Sequence, residues 1–180
     1  MMDDLIMREE TPEDINEIRE LTSAAFENMV ISNHNEHFVI DALRAAGALT
    51  ISLIAFLNDQ IVGHVAFSPV EISDGTSNWY GMGPLSVLPQ YQRLGIGGML
   101  IQEGLKKLMR FNPGGCYLVG HSQYYRRFGF ENIDGLYCEG VPAEVSFARS
   151  FTDTMPQGKV TFHPAFYVSG PLNEQQNQNN

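Results

Sequence analysis

The stretch Gln92-Arg93-Leu94-Gly95-Ile96-Gly97-Gly98 constrains this chain more than any other. Before it stands a run of strand character, Trp79 to Leu88, closed by Pro89; after it a helical run extends to about Arg110. Glycines at such a junction let backbone N–H groups approach a ligand with no Cβ in the way. The start of a helix adds unpaired N–H donors and a partial positive charge. Strand, glycine turn and helix N-terminus together make an anion cradle suited to phosphate.

The residues next to these glycines exclude two common glycine loops. A P-loop needs Lys and then Ser or Thr after its last glycine, whereas Gly97 is followed by Gly98 and Met99. A dinucleotide fingerprint needs a third glycine or an alanine, and the position counted from Gly95 is Leu100. The remaining pattern, Q-R-x-G-x-G-G, is by itself compatible with a pyrophosphate loop or with a glycine-rich turn before a core helix.

A chain of 180 residues suits a single domain with a full core. Its 43% hydrophobic and 18% charged residues describe an ordinary globular protein. No apolar run reaches the roughly 18 residues of a membrane span. The N-terminal MMDDLIMREE is acidic and its apolar part too short for a signal peptide. Two cysteines, Cys116 and Cys138, make no disulfide framework. The expectation is a reduced, cytoplasmic protein that does not act at a membrane.

The formal charge of -10 argues against nucleic-acid binding. Its distribution is uneven: residues 92–130 carry Arg93, Lys106, Lys107, Arg110, Arg126 and Arg127, six of the eleven basic side chains, against the single acid Glu103. A local positive field on an acidic chain points to a polyanionic ligand there. A solvated helix face explains Lys106, Lys107 and Arg110 equally well, whereas Arg93 sits inside the loop.

Leu5 to Arg8 reads as a first strand, and Thr11-Pro12-Glu13-Asp14 as a helix start. Ile15, Ile18 and Leu21 give a helical stripe. A second helix is expected from Asn35 to Ala46, stopped by Gly47. Strands are expected over 49–57, 61–72 and 78–88, with turns at Asn58-Asp59 and Asp74-Gly75. Pro84 cannot donate to a ladder, so the third of these strands should bulge or splay. Beyond the central helix, 116–119 reads as a buried strand and 123–128 as a short helix; 130–138 and 159–163 read as further strands. The Asn/Gln-rich residues 171–180 are expected to be a disordered tail after one domain spanning 3–170.

Two motifs in this order carry a family resemblance. Gly83-Pro84-Leu85-Ser86-Val87-Leu88-Pro89 with Gln92, Gly95 and Gly97 resembles the central strand and Q/R-x-x-G-x-G/A loop of the GNAT-type N-acetyltransferase superfamily. Gly120-His121-Ser122 with Tyr124-Tyr125-Arg126-Arg127-Phe128-Gly129-Phe130 resembles its short helix with the F/Y-Y-x-x-x-G-F ending. The resemblance covers about residues 4–138. It implies an α/β (α+β) GNAT acyltransferase fold: a mixed, mostly antiparallel central sheet, splayed at the acetyl-CoA site and flanked by helices.

The resemblance also implies a site. The pantetheine arm of acetyl-CoA would complete the ladder along Leu85, Ser86 and Val87, and its pyrophosphate would lie on Gln92, Arg93, Leu94, Gly95, Ile96, Gly97 and Gly98. His121 and Ser122 occupy a place that often bonds the pantetheine arm. The reaction implied is acetyl transfer to a primary amine of a small molecule or a peptide, by direct attack in a ternary complex without a metal. A backbone N–H near Val87 would stabilise the oxyanion, and Tyr125 would protonate the departing thiolate. The base is open among His64, Glu71, His121 and relayed water. By the same analogy the segment Phe26 to His37 borders the acceptor cleft. Residues 1–91 hold fourteen acids against three basic groups, so a cationic acceptor is expected. A homodimer fits the resemblance.

Other functions fit the residues less well. A binding module that senses CoA without turnover would share the loop and strand but not need Tyr125. A nucleotide-dependent enzyme lacks its P-loop Lys. His34 and His37 have no third ligand at zinc-like spacing, Cys116 reads as a core thiol, and no G-x-S-x-G occurs.

Overall fold

The computed structural model describes residues 4–121 and 123–172. In chain order the elements are β1 (Ile6–Glu9), α1 (Ile15–Phe26), α2 (Glu36–Ala45), β2 (Ile51–Leu57), β3 (Gln60–Ile72), β4 (Trp79–Val87), α3 (Ile96–Leu108), β5 (Gly115–Val119), β6 (Leu136–Tyr137), β7 (Ser146–Ser150) and β8 (Gly158–Phe162). The sheet runs β1-β2-β3-β4-β5-β7, with β8 on the far end of β3 and β6 on β8. Its pairs are antiparallel except β4–β5 and β6–β8. This is the mixed, mostly antiparallel, helix-flanked sheet expected.

The long hairpin β2–β3 is the spine. Asn58 and Asp59 take φ of 50° and 60°, and Leu57 pairs with Gln60. A two-residue loop with both φ positive matches the strands' right-handed twist, and Asn and Asp tolerate it. Ile61 to Ser68 are all buried, as expected of a strand covered on both faces. Alternation splits them: Gly63, Val65 and Phe67 face α3, and His64, Ala66 and Ser68 face the opposite side, where α1 packs.

At the entry to α1, Asp14 accepts the Thr11 N–H at 2.7 Å and holds Arg8 through two bonds of 2.7 and 3.0 Å. Those bonds hold the Asp14 carboxyl down at about 2. Residues 130–138 depart from the strand expected there. Only Leu136–Tyr137 is strand, and Glu131 makes an isolated bridge to Ala148. On the side away from β4, β5 pairs over Gly115 to Val119 with β7, a strand not anticipated. Of the expected tail 171–180, residues 173–180 lie outside the described residues.

Gly104 brings α3 onto the sheet. A Cβ there would sit 2.5 Å from Cε2 of the fully buried Phe67 ring. Gly104→Ala would gain about 1 kcal/mol of helix propensity. Overpacking against a ring with no room to move costs about 1–3 kcal/mol, so the variant is expected to be less stable. Urea unfolding checks this; a higher midpoint would contradict the close approach.

Candidate functional site

Strand β4 leaves the sheet on one side halfway along its length. It pairs with β5 only at Trp79, Tyr80 and Gly81, opposite Gly115, Cys116 and Tyr117. Towards β3 the register shifts: Val65 pairs with Leu85 but Phe67 with Met82, so β4 carries one extra residue at Gly83-Pro84. Gly83 has φ of 135°, open to glycine and strained for other residues. The bulge bends β4 away from β5, and a fork opens between them.

The ladder's phase says which groups face the fork. Leu88 N–H donates to Val62 O at 3.0 Å. Bonded and non-bonded pairs alternate in an antiparallel ladder, so Ser86 and His64 are a bonded pair. Leu85 and Val87 therefore turn their N–H and C=O groups towards the fork. The Gln92 side-chain amide donates to Val87 O at 3.0 Å, which caps the open edge and ties the loop to the strand. Gln92, expected to touch a ligand, is seen here positioning the loop.

Beyond a short 3-10 turn, Pro89–Tyr91, the loop passes through left-handed Arg93 (φ 65°) and Gly95 (φ 89°) into α3. The first bond of the helix is Met99 N–H to Gly95 O, 3.1 Å. The N–H groups of Ile96, Gly97 and Gly98 thus precede the ladder and are open to an acceptor. Ile96 and Gly97 border a cleft of about 390 Å³ lined also by Val87, Tyr91, Arg93, Tyr124 and Arg127. A Cβ on Gly98 would come within 2.9 Å of the Tyr124 hydroxyl, so the glycine lets the short helix Gln123–Phe128 close one wall.

Neighbours sort the basic cluster. Lys106 and Lys107 lie 3.7 and 3.9 Å from Glu103, and Arg110 pairs with Glu9 at 2.8 Å. Arg126 bonds Gln123 and Asn132. Arg93 and Arg127 line the cleft, with Arg127 stacked 4.6 Å from the Tyr124 ring centroid. The positive charge at the loop therefore rests on these two.

Tyr125 packs against Gly120, where a Cβ would meet its ring at 2.5 Å, and against Phe147, 5.8 Å between centroids. Burial, aided by Tyr124, raises its hydroxyl above the ordinary range, so it keeps its proton at neutral pH. His121 is exposed just past β5, and Ser122 lies outside the described residues. Glu71 is exposed near the far end of β3, paired with Thr161, away from the fork. Beside α1 and α2 a second cleft of about 660 Å³ is lined by Glu20, Phe26, Glu27, Glu36, His34 and His37, among others. Among the described residues no three His, Cys, Asp or Glu side chains group as a metal site.

Sequence reasoning missed a polar chain across the sheet. His64, fully buried, meets Ser52 Oγ through Nε2 at 2.8 Å. The Ser52 hydroxyl donates to the Glu10 carboxylate. Arg44 holds that carboxylate at 2.7 and 2.9 Å, and its remaining arm bonds Asp41 at 2.7 Å. No motif marks these residues, since they come from separate segments of the chain.

Burial pushes His64 down to about 4, the Glu10 charge opposing and Arg44 reinforcing this. The folded state thus resists a proton that the unfolded chain takes up near 6.5. Below that pH the unfolded state binds more protons, so this contribution to stability falls between pH 6.5 and about 4. The loss should be on the order of 2 kcal/mol, and His64→Gln should remove that part of the slope. Denaturant unfolding at pH 7, 5.5 and 4.5 measures it; equal slopes in both proteins would contradict the assignment.

Comparison with known proteins bears on this geometry. The pattern described as the Acetyltransferase (GNAT) family matches residues 15–130. YhbS, an uncharacterized N-acetyltransferase of Escherichia coli (strain K12), is 35% identical over 128 residues, 71% of this chain and 74% of that one. A crystal structure of a GNAT family acetyltransferase from Brucella melitensis in complex with acetyl-CoA superposes with a TM-score of 0.80 at 46% identity, covering 90% of this chain and 97% of the other. That of Escherichia coli YhbS in complex with CoA gives 0.82 at 31% identity, covering 93% and 94%. With the fork, the glycine loop and the matched span all falling in one stretch of chain, the protein belongs to the GNAT family of acetyltransferases.

Proposed function

We propose that this chain is an acetyl-CoA-dependent N-acetyltransferase that moves an acetyl group to a primary amine within a ternary complex. The observation that carries the reading is the open edge of β4, where the Leu85 N–H and C=O and the Val87 N–H turn towards the fork and the Val87 C=O is held by Gln92. Buried amides without partners cost free energy, and a pantetheine arm, with two amides of its own, satisfies them. The related proteins crystallised with acetyl-CoA and with CoA support the same ligand here.

In this reading the pyrophosphate sits on the N–H groups of Ile96, Gly97 and Gly98, with Arg93 and Arg127 as counter-charges. The thioester then reaches the fork beside Gly83. A neutral amine attacks its carbonyl carbon, and the oxyanion is met by a backbone N–H near Val87. Collapse breaks the C–S bond, and Tyr125 gives its proton to the sulfur. The raised hydroxyl of Tyr125 suits this role, since the group is protonated until the thiolate forms beside it. The acceptor enters from the side of α1 and α2, where Glu20, Glu27 and Glu36 favour a cation.

Tyr125→Phe is expected to lower kcat by about 100-fold while acetyl-CoA affinity stays within a factor of about three. CoA thiol release with an amine panel and calorimetric titration measure the two. Undiminished turnover would contradict the acid role. Wild-type protein that binds acetyl-CoA but acetylates nothing in the panel would instead favour a non-catalytic acetyl-CoA sensor.

A further inference from the structure

In the ternary complex proposed above, the donor occupies one face of the sheet. A Cβ on Gly97 would lie 3.8 Å from the Val87 side chain and 4.0 Å from that of Leu85. These side chains and the start of α3 therefore share a face with the donor cleft. With the donor seated there, the acceptor meets the thioester from the opposite face. At the root of the fork, that face carries a row of aromatic rings.

Gly81 is the last residue of β4 that pairs with β5, opposite Tyr117. On its other side it pairs with Ser68 of β3, which alternation turns away from α3. A Cβ on Gly81 would sit 2.6 Å from Cε1 of Phe162 and 3.1 Å from Val70. Only a residue without a side chain lets the Phe162 ring lie on the strand here. Val70 is also the register partner of Phe162 at the end of β8, and paired residues point to the same face. Ring contacts run from Tyr117 to Phe162, 5.8 Å between centroids, and on to Phe166, 4.9 Å.

Two observations set this row apart from ordinary core. Phe162 and Phe166 are only half-buried, and each packs on the rim of a different apolar cluster. Beside them there is room: a Cβ on Gly83, two residues beyond Gly81, would meet nothing within 4 Å. Two residues span about 7 Å of strand, so the rings stand one short group away from the bulge where the thioester is placed. The row offers apolar faces only, because the Tyr117 hydroxyl donates to Ser146 Oγ at 2.8 Å. The acids of the cleft beside α1 and α2 are none of these residues.

We propose that Phe162 and Phe166 form a specificity wall of the acceptor site, and that the acceptor bears its primary amine a short carbon link away from a flat apolar ring. This rests on the acetyltransferase reading. The acceptor's ring packs against the two phenylalanines over Gly81, stacked or edge-on at about 4.5–7 Å between centroids, and its amine then lies over Gly83 beside the thioester carbonyl. The acids near α1 and α2 draw in a cation; the rings select by what stands next to its nitrogen. The wall is fastened before any ligand arrives. The turn that carries Phe166, Pro164–Tyr167, packs on α2. Its Ala165 N–H donates to His163 Nδ1 at 3.1 Å, and the Asn35 side-chain amide, just ahead of α2, donates to Val168 O at 2.6 Å. A surface held in place beforehand loses little freedom on binding.

The test compares kcat/KM for 2-phenylethylamine and n-butylamine, followed by CoA thiol release at saturating acetyl-CoA, in the wild type, Phe162→Leu and Phe166→Leu. Leucine keeps an apolar side chain and removes the flat ring. The wild type should prefer the aryl amine by at least about tenfold. Phe162→Leu should bring the two amines within about threefold of each other, and Phe166→Leu should lower the preference by about threefold. A purely structural role would slow both amines alike and leave their ratio unchanged. Acetyl-CoA affinity by calorimetric titration should stay within about twofold. Wild-type protein that acetylates butylamine as well as the aryl amine overturns the wall and leaves the acetyltransferase reading standing. So does a full aryl preference in Phe162→Leu, or in Phe166→Leu if Phe162→Leu does not fold. Wild-type protein that binds acetyl-CoA and turns over no amine overturns the acetyltransferase reading, and the wall with it.

Discussion

The extra residue in β4 at Gly83-Pro84 is the constraint on which the rest depends. A regular strand here would have gone on pairing in parallel with β5 and left no backbone to offer. Because the bulge bends β4 after Gly81, its last residues keep β3 on one side and face the fork on the other. A strand edge is normally a liability. Here it is screened by α3, the Tyr124–Tyr125 helix and the Gln92 amide, and becomes a place where a ligand with its own amides can pair.

The same distortion aligns two ligand-binding devices. The end of β4 delivers the chain into left-handed Arg93 and Gly95, and α3 begins with three N–H groups ahead of its ladder. Amide edge and helix start lie in one line along the cleft. In the proposed reading this line also sets the chemistry, since a donor held at the helix start would place its far end at the fork. Tyr125 packs over Gly120, just past the end of β5.

Much of this was legible because the residues involved are local in sequence. Pro84 within a strand pattern signalled the bulge, and glycines at 95, 97 and 98 signalled a strand-to-helix turn. Asn58-Asp59 signalled a hairpin. What was not legible depends on contacts between distant segments. Strand β7 has no strong alternation and exists because β5 offers it an edge. Residues 130–138 carry apolar and aromatic side chains that suit a strand, but only two of them find a full strand partner. Glu10, Ser52 and Arg44 are unremarkable singly, and His64 stood out only as one of several candidate bases; the register of β2 against β3 and the place of α2 bring them together. The basic cluster was half legible, since charge counting cannot tell Arg93 and Arg127 from lysines already beside Glu103.

The central claim is that the open edge of β4 and the start of α3 hold the acyl donor. Residue-resolved amide exchange by NMR, with and without acetyl-CoA, tests it most directly. The account predicts slowed exchange at Leu85, Val87, Ile96, Gly97 and Gly98, and little change at Ser86, whose N–H is already bonded to His64. Unchanged exchange at Leu85 and Val87 in protein saturated with acetyl-CoA would contradict it.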